Sequence, residues 1–536
     1  MKDVQPAVPQ QPDRSAGPAE PQPPVHGGAA RAGAVPPPGP PPDPEWLVTV
    51  RPDTAAAVPA ASLWCALAAA ILGGLLLTEG LGLNLLVVAA PVVLAAAFAA
   101  RDAGRRVRPW TLVWSAGGAA LLAVPFLRDA GWPTFLALMA AVGAGSLALH
   151  GSRTWRGAFL GSVGVFGAVP PGLRWAWHGV REQAGDVRDR WWPVVRGVLA
   201  AVLLLTVFGA LFAGADAAFA DLLADILPDL SLESLPLHAL FFALVLAAAV
   251  GAARAAAAPL KWDRLEGSRG APRGRLEWAL PLLVLNGLFA AFISVQLAVL
   301  FGGYDKVLEH TGLTYAEYAR QGFWQLLVVT LLTLLVIALA LRWAPRHGGR
   351  GDLVLVRSVL GALCVLTLVV VASALRRMDL YVDAYGLTRL RVSVTAMELW
   401  LGAVIVLIMA AGATRAHWLP RAVGASAVAA VLAFGLVSPD GLVAEQNVRR
   451  YATTGKLDVV YLRQLSADAV PGLDALPEPE RSCALRDIAE ELAAQDTPWY
   501  ATSFGEFRAR RLLDERPVSP GDPCDNARVI SLTEYY

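Results

Sequence analysis

Four arginines within a short stretch, Arg376, Arg377, Arg389 and Arg391, are the residues of this chain best suited to chemistry. An arginine fork donates paired hydrogen bonds to phosphate or carboxylate. Clustered beside apolar sequence, such forks could hold a phosphorylated lipid head group or a glycan precursor. Asp379 and Asp383 lie among them, and Tyr381 and Tyr385, four residues apart, share a face if the segment is helical. Glu398 follows inside the apolar run TAMELWLGAV, where a carboxylate is expensive and faces protein or water. Arg391 precedes it by two helical turns on the same face. Two accounts stand for each group. The arginines line an outward vestibule for an anionic ligand, or they pair with Asp379, Asp383 or an acidic external loop and lock the fold. Glu398 couples proton movement, or it is a charge-compensated packing element. The balance tips toward packing in both cases.

A second polar set lies in ALPLLVLNGLFAAFISVQLAVLFGG, which contains Asn286, Ser294 and Gln296. Polar groups in lipid seek partners on neighbouring helices, so these serve as interhelical glue or line a permeation path. Asn286-Gly287 could loosen the helix, as in discontinuous transport helices. His310 and Glu317 form a conceivable acid/base pair without a nucleophile beside them, and Thr314 with Glu317 also reads as a capping box. Asp221, Asp225 and Asp229 make a carboxylate row on one helix face, read as the solvated side of an amphipathic surface helix rather than a divalent-cation site. The sequence has no Cys/His cluster at metal spacing, no Gly-x-x-x-x-Gly-Lys-Ser/Thr, no His-Glu-x-x-His and no Gly-x-Ser-x-Gly. No catalytic residue, metal or cofactor is expected.

The elements that must carry these residues follow from apolar content. Of 536 residues, 56% are hydrophobic and 17% charged, and the mean hydropathy is +0.50. An ordinary soluble enzyme or a disordered chain is excluded. The net charge of +1 suggests no nucleic-acid partner. Apolar residues fall into blocks long enough to cross a bilayer as helices, at about 60–79, 82–100, 111–127, 132–150, 194–214, 236–256, 279–301, 323–343, 353–375, 395–413 and 419–437. The expected fold is all-α: a polytopic membrane bundle of about eleven transmembrane helices with a small C-terminal extracytoplasmic helical domain. Arginines collect after even-numbered blocks, at 101–108, 153–190, 264–275, 342–350 and 415–421. The loop after the fifth block carries Asp216, Asp221, Asp225, Asp229 and Glu233 instead. The positive-inside bias therefore places the N-terminus in the cytoplasm and the C-terminus outside. By that parity Arg376–Arg391 form an external loop, against the usual bias. Residues 157–169 are apolar but too short to cross, and their spaced glycines suggest close packing or an interfacial position.

Residues 1–57 hold 15 of the 38 prolines and are expected to be a disordered cytoplasmic tail. The bundle is expected over 58–437. Residues 438–536, with 11 basic and 17 acidic side chains, read as a soluble helical domain, with amphipathic helices at 457–465, 481–495 and 499–513. In an oxidising compartment Cys483 and Cys524 are free to form a disulfide or to remain thiols.

GLTYAEYARQGFWQL, DLYVDAYGLTRLRVSVTAMELWLG and SPDGLVAEQNVRRY…LDVVYLRQLSADAVPGL occur in that order between 312 and 473. In these segments the chain resembles bacterial multi-pass membrane proteins of the domain-of-unknown-function 4173 type, related to the 4153 group, over about 190–475. The resemblance implies an integral membrane protein of the bacterial cell envelope and supplies no activity. Its expected partners are the lipid bilayer, an anionic or lipid-linked ligand and an envelope protein. Three functions compete: handling or transport of such a substrate, a membrane scaffold or sensor, and an outer-face transferase.

Overall fold

The computed structural model of the chain describes residues 45–52, 56–183, 234–265, 274–302, 323–343, 350–414, 416–520 and 524, with isolated helical positions between 197 and 212. The expected fifth block at 194–214, the acidic row at 221–229 and the segment carrying His310 and Glu317 lie outside the described residues, as does the Pro-rich stretch up to residue 44. A short helix, α1 (Glu45–Val50), falls within the expected N-terminal tail. Val50 is fully buried and its carbonyl accepts from the Lys261 amide at 3.0 Å, so the apolar EWLVTV belongs to the packed protein rather than to the tail.

The membrane part contains α2 (Ala60–Leu76), α3 (Asn84–Asp102), α4 (Pro109–Leu122), α5 (Val124–Leu127), α6 (Gly131–His150), α7 (Trp155–Gln183), α8 (Leu235–Ala257), α9 (Arg275–Gly302), α10 (Phe323–Trp343), α11 (Arg350–Tyr385), α12 (Arg389–Ala413) and α13 (Leu419–Val437). Among the described residues nine helical stretches are long and apolar enough to cross a membrane, counting α4 with α5 as one, and α2 is a shorter tenth of 17 residues. Small residues let these helices approach closely. The buried stripe of α2 is Ser62, Ala66, Ala69, Ala70, Gly73 and Gly74, and Ala95, Ala96 and Ala99 of α3 meet Ala252, Ala253 and Ala256 of α8. Buried Asn84 ties the α2–α3 turn, donating to the Leu76 and Gly80 carbonyls at 2.6 and 2.8 Å and accepting from the Gly82 amide at 2.8 Å.

The ends of the helices sort onto two faces. Arg105, after α3, donates to Leu149 O near the end of α6 and to Ala256 O near the end of α8. Arg421, at the start of α13, donates to Gly151 O and Ser152 O. The exits of α3, α6 and α8 therefore share one face, as their arginines imply. The apolar segment at 157–169 is the first half of the 29-residue α7, which continues through Pro170 and Pro171. Its glycine face is buried at Gly157, Gly161, Gly164 and Gly172, while Phe159, Val163, Phe166 and Trp177 point outward. Gly157 abuts Asp263, and at the other end Trp175 and Gln183 donate to Ala56 O and Val58 O. Both ends thus lie on the arginine face. The helix runs along that face with its large apolar side chains outward, as an interfacial amphipathic helix does.

On the opposite face sits the C-terminal domain: α14 (Pro439–Thr454), α15 (Val459–Leu462), α16 (Val470–Leu473), α17 (Glu480–Ala494) and α18 (Phe504–Glu515). Its core is built from large aliphatics, among them Val443, Leu462, Leu473, Leu485 and Ile488. Buried Arg481 is held by Asp474 at 2.8 Å and by Arg516 O at 2.6 Å. The Sγ atoms of Cys483 and Cys524 are bonded, with Cα atoms 4.9 Å apart.

Candidate functional site

The expected external loop at 376–391 is helix. Helix α11 extends to Tyr385, and only residues 386–388 separate it from α12. The reason is local: RRMDLYVDAY has no helix breaker until Gly386, which takes φ +80° in the left-handed region that favours glycine. Thr388 then caps α12, its hydroxyl accepting from the Arg391 amide at 3.4 Å.

This turn gathers four of the expected residues. The rings of Tyr381 and Tyr385 meet edge to face with centroids 5.2 Å apart. The Arg391 guanidinium lies over Tyr381 at 4.0 Å and within 5.9 Å of Tyr385, and it donates to Gly386 O. Arg391 is only 8% exposed. Arg389 is bidentate on Asp440 of α14, with Nε to Oδ1 at 2.7 Å and Nη2 to Oδ2 at 2.5 Å, and its amide donates to the Tyr461 hydroxyl at 2.7 Å. Asp379 and Asp383, which the sequence offered as partners, are exposed, and Arg389 pairs with Asp440 instead. Arg376 is exposed on the same helix, one turn below the tyrosines, and Arg377 beside it is half-buried.

Glu398 is fully buried, two turns deeper in α12 than Arg391. Its Oε1 accepts from the Thr330 hydroxyl at 3.3 Å, and Oε2 has no partner. About 10 Å of helical rise separates Glu398 from Arg391. Asn286 and Gln296 do not join this group. Both face α11: Asn286 donates to Val359 O at 3.1 Å, and Ser373 donates to Gln296 Oε1 at 3.5 Å.

Further residues complete the junction between this turn and the C-terminal domain. Asn447 grips the turn, its amide donating to Leu387 O at 2.8 Å, and Arg450 donates to the carbonyls of Asp383 and Ala384. Asp129, between α5 and α6, accepts from the Ala467 amide at 2.9 Å through its side chain and from the Ser466 hydroxyl at 2.5 Å through its carbonyl. Asp468 accepts from the Ser438 hydroxyl at 2.6 Å. Asp468 Oδ1 and Glu506 Oε2 are buried without partners. Burial pushes the Asp129 and Asp468 carboxyls above the usual range. It carries Glu506 up to about 7, with the Asp129 and Asp468 charges adding to the shift. The sequence did hold a signal for this junction. Ser438-Pro439-Asp440 is a helix start, with the serine accepting from the Gly441 amide and proline in the first turn. Among the described residues no group of three or more His, Cys, Asp or Glu is placed to hold a metal ion.

Beside the junction an apolar groove of about 670 Å³ runs between α12, α13 and α14. Leu399, Ala403, Ala430 and Phe434 line its floor, and Gln446 and Arg449 stand at its rim.

The DUF4153 family, a domain of unknown function, matches residues 116–476. The chain belongs to that family. The finer likeness to the 4173 type is not supported, and the matched region of this DUF4153 protein begins at 116 rather than near 190, so that the second half of α4 and all of α6 fall inside it. No curated protein and no solved structure matches the chain. It is a multi-pass membrane protein of a family without an assigned activity.

Proposed function

We propose that this protein is a non-catalytic scaffold or sensor of the bacterial cell envelope, with its N-terminus in the cytoplasm and its C-terminal domain outside as a platform for an envelope protein. One observation carries the reading: the bidentate Arg389–Asp440 pair. The arginine best placed to receive an external anion is spent on holding the C-terminal domain to the bundle. The orientation is supported by the arginine-rich loops of the opposite face and by the disulfide on the domain's side. Photo-cross-linkers placed at exposed Val460 and Trp499 test it in cells. A defined envelope protein should be captured, and capture should fall when Asp440→Ala loosens the platform. Capture of lipid alone, with the domain firmly docked, refutes the scaffold.

The groove favours a second reading, the handling of an amphipathic, lipid-linked substrate. Its volume is in the range of ligand pockets, and it pairs an apolar floor with a polar rim. Filling it by Ala430→Trp should then abolish a transport or lipid phenotype while leaving the protein level unchanged. The transferase reading has no comparable support, because Asp129, Asp440 and Asp468 are engaged in the seam rather than directed at lipid.

A further inference from the structure

The arginines that orient the chain also converge. On the face opposite the C-terminal domain, the segments after α3, α6 and α8 enclose a pocket of about 510 Å³. Arg105, Arg108, Arg153, Lys261 and Arg264 line it, and Asp263 is the one carboxylate among the described lining residues.

Asp263 offsets one of these five positive charges. Its oxygens accept from the Arg153 amide at 2.9 and 3.0 Å, from the Thr154 amide at 3.0 Å and from the Thr154 hydroxyl at 2.9 Å. It acts as the anchor for the start of α7. Arg105 is satisfied by carbonyls, Ala256 O at 2.5 Å and Leu149 O at 3.2 Å, which fix the guanidinium without cancelling its charge. Burial, with Arg108 nearby, pulls its pKa below the ordinary arginine value. At the base, His150 and Trp262 are neighbours with ring centroids 6.4 Å apart. His150 Nδ1 bonds Ser146 O at 2.8 Å, while His150 Nε2 and Trp262 Nε1 are buried without partners. Both side chains line the pocket, with Trp262 Nε1 beside Gly164 of α7.

A topogenic role does not account for this arrangement. The positive-inside bias asks that each short loop carry Lys or Arg. It does not ask that three loops place them around one cavity, where like charges repel. Arginine forks recognise phosphate bidentately, and basic pockets between transmembrane helices on the cytoplasmic side bind lipid head groups.

We propose that this pocket binds a phosphate-bearing anion. The phosphate belongs either to the head group of an anionic phospholipid in the adjoining leaflet or to a soluble phosphorylated molecule, and the two sources share the chemistry recognised. The site is independent of the scaffold reading, since it lies on the other face and uses none of its residues.

The test uses the full chain and three proteins: wild type, Arg108→Gln with Arg264→Gln, and Arg101→Gln with Arg106→Gln. Arg108 and Arg264 line the pocket, whereas Arg101 and Arg106 lie on the same face outside it. Thermal unfolding is followed in neutral detergent with inorganic pyrophosphate at constant ionic strength, and in phosphatidylcholine nanodiscs with and without phosphatidylglycerol. Wild type and the Arg101/Arg106 variant should be stabilised by at least one of the two anions. The Arg108/Arg264 variant should need at least tenfold more of it. Response to phosphatidylglycerol alone assigns a lipid head group, and response to pyrophosphate assigns a soluble phosphate. No response in wild type overturns the proposal, and so does an equal loss in both variants, which marks a diffuse surface effect.

Discussion

The two ends of the helical bundle treat charge in opposite ways. At the C-terminal-domain end, opposite charges and backbone donors meet in a seam: Arg389 with Asp440, Asp440 with the Ser466 amide, Asp129 with the Ala467 amide. At the other end, cations from three connections line a cavity whose one carboxylate among the described residues, Asp263, accepts from backbone donors. The first arrangement is internally satisfied and reads as attachment. The second gathers more described cations than carboxylates, and we propose that an anion from outside completes it. A cluster of charge in a membrane protein therefore says little by itself. What decides its role is whether its partners come from the same chain.

The contrast breaks most severely where the seam's own domain is unstapled. Cys483 and Cys524 close a separation of 41 residues. Loop-closure entropy over that length puts the loss on removing the bond at about 3–4 kcal/mol. Cys483→Ser should leave the domain sensitive to protease while the bundle stays resistant, as read by limited proteolysis of membranes. Next in size is Asp440→Ala. It strands the Arg389 fork and the Ser466 amide, at about 2–3 kcal/mol of docking, and should raise cleavage near residue 438 without unfolding the domain. If Asp440→Ala leaves cleavage unchanged, the seam is not what holds the domain.

A pH titration sharpens the comparison further. Glu506 lies in the seam with a carboxyl raised from 4.5 to about 7, and Asp129 and Asp468 are raised with it. A carboxyl raised in the docked state favours docking while it is protonated. Its contribution is fully present below about pH 4.5 and is lost as the pH rises to about 7. Solvent screening of this partly exposed group limits the effect to about 1–2 kcal/mol. Protease release of the domain should increase over that window in wild type and flatten in Glu506→Gln.

Much of this architecture was legible in the residues. Apolar length marks the crossings, and arginine placement sorts the helix exits onto one face because the bias acts loop by loop. The apolar run at 157–169 is too short to cross, but nothing in it shows that the helix continues through Pro170 and Pro171. The junction was half legible. Arg389 and Arg391 stand out by type, but the sequence points to Asp379, Asp383 or the acidic loop at 216–233 as their partners, whereas Arg389 pairs with Asp440, 51 residues away. Tertiary pairing over that distance leaves no periodic trace. The basic pocket was invisible for the same reason: each arginine already had a sufficient explanation in its own loop.

The smallest effect belongs to Glu398, and it separates packing from chemistry within one residue. Glu398 Oε1 accepts from Thr330, while Oε2 is buried and unpartnered. A glutamine keeps the volume and an acceptor for the Thr330 hydroxyl. If the group only fills space between α10 and α12, Glu398→Gln should change unfolding by less than about 0.5 kcal/mol and leave every cellular phenotype intact, whereas Glu398→Ala opens a cavity and lowers thermal stability by more. A Glu398→Gln protein that is stable and well expressed yet lacks a phenotype the wild type shows would mean that the carboxylate itself is used. The engaged seam would then border a working site, and the distinction between the two ends of the bundle would hold only for the arginines.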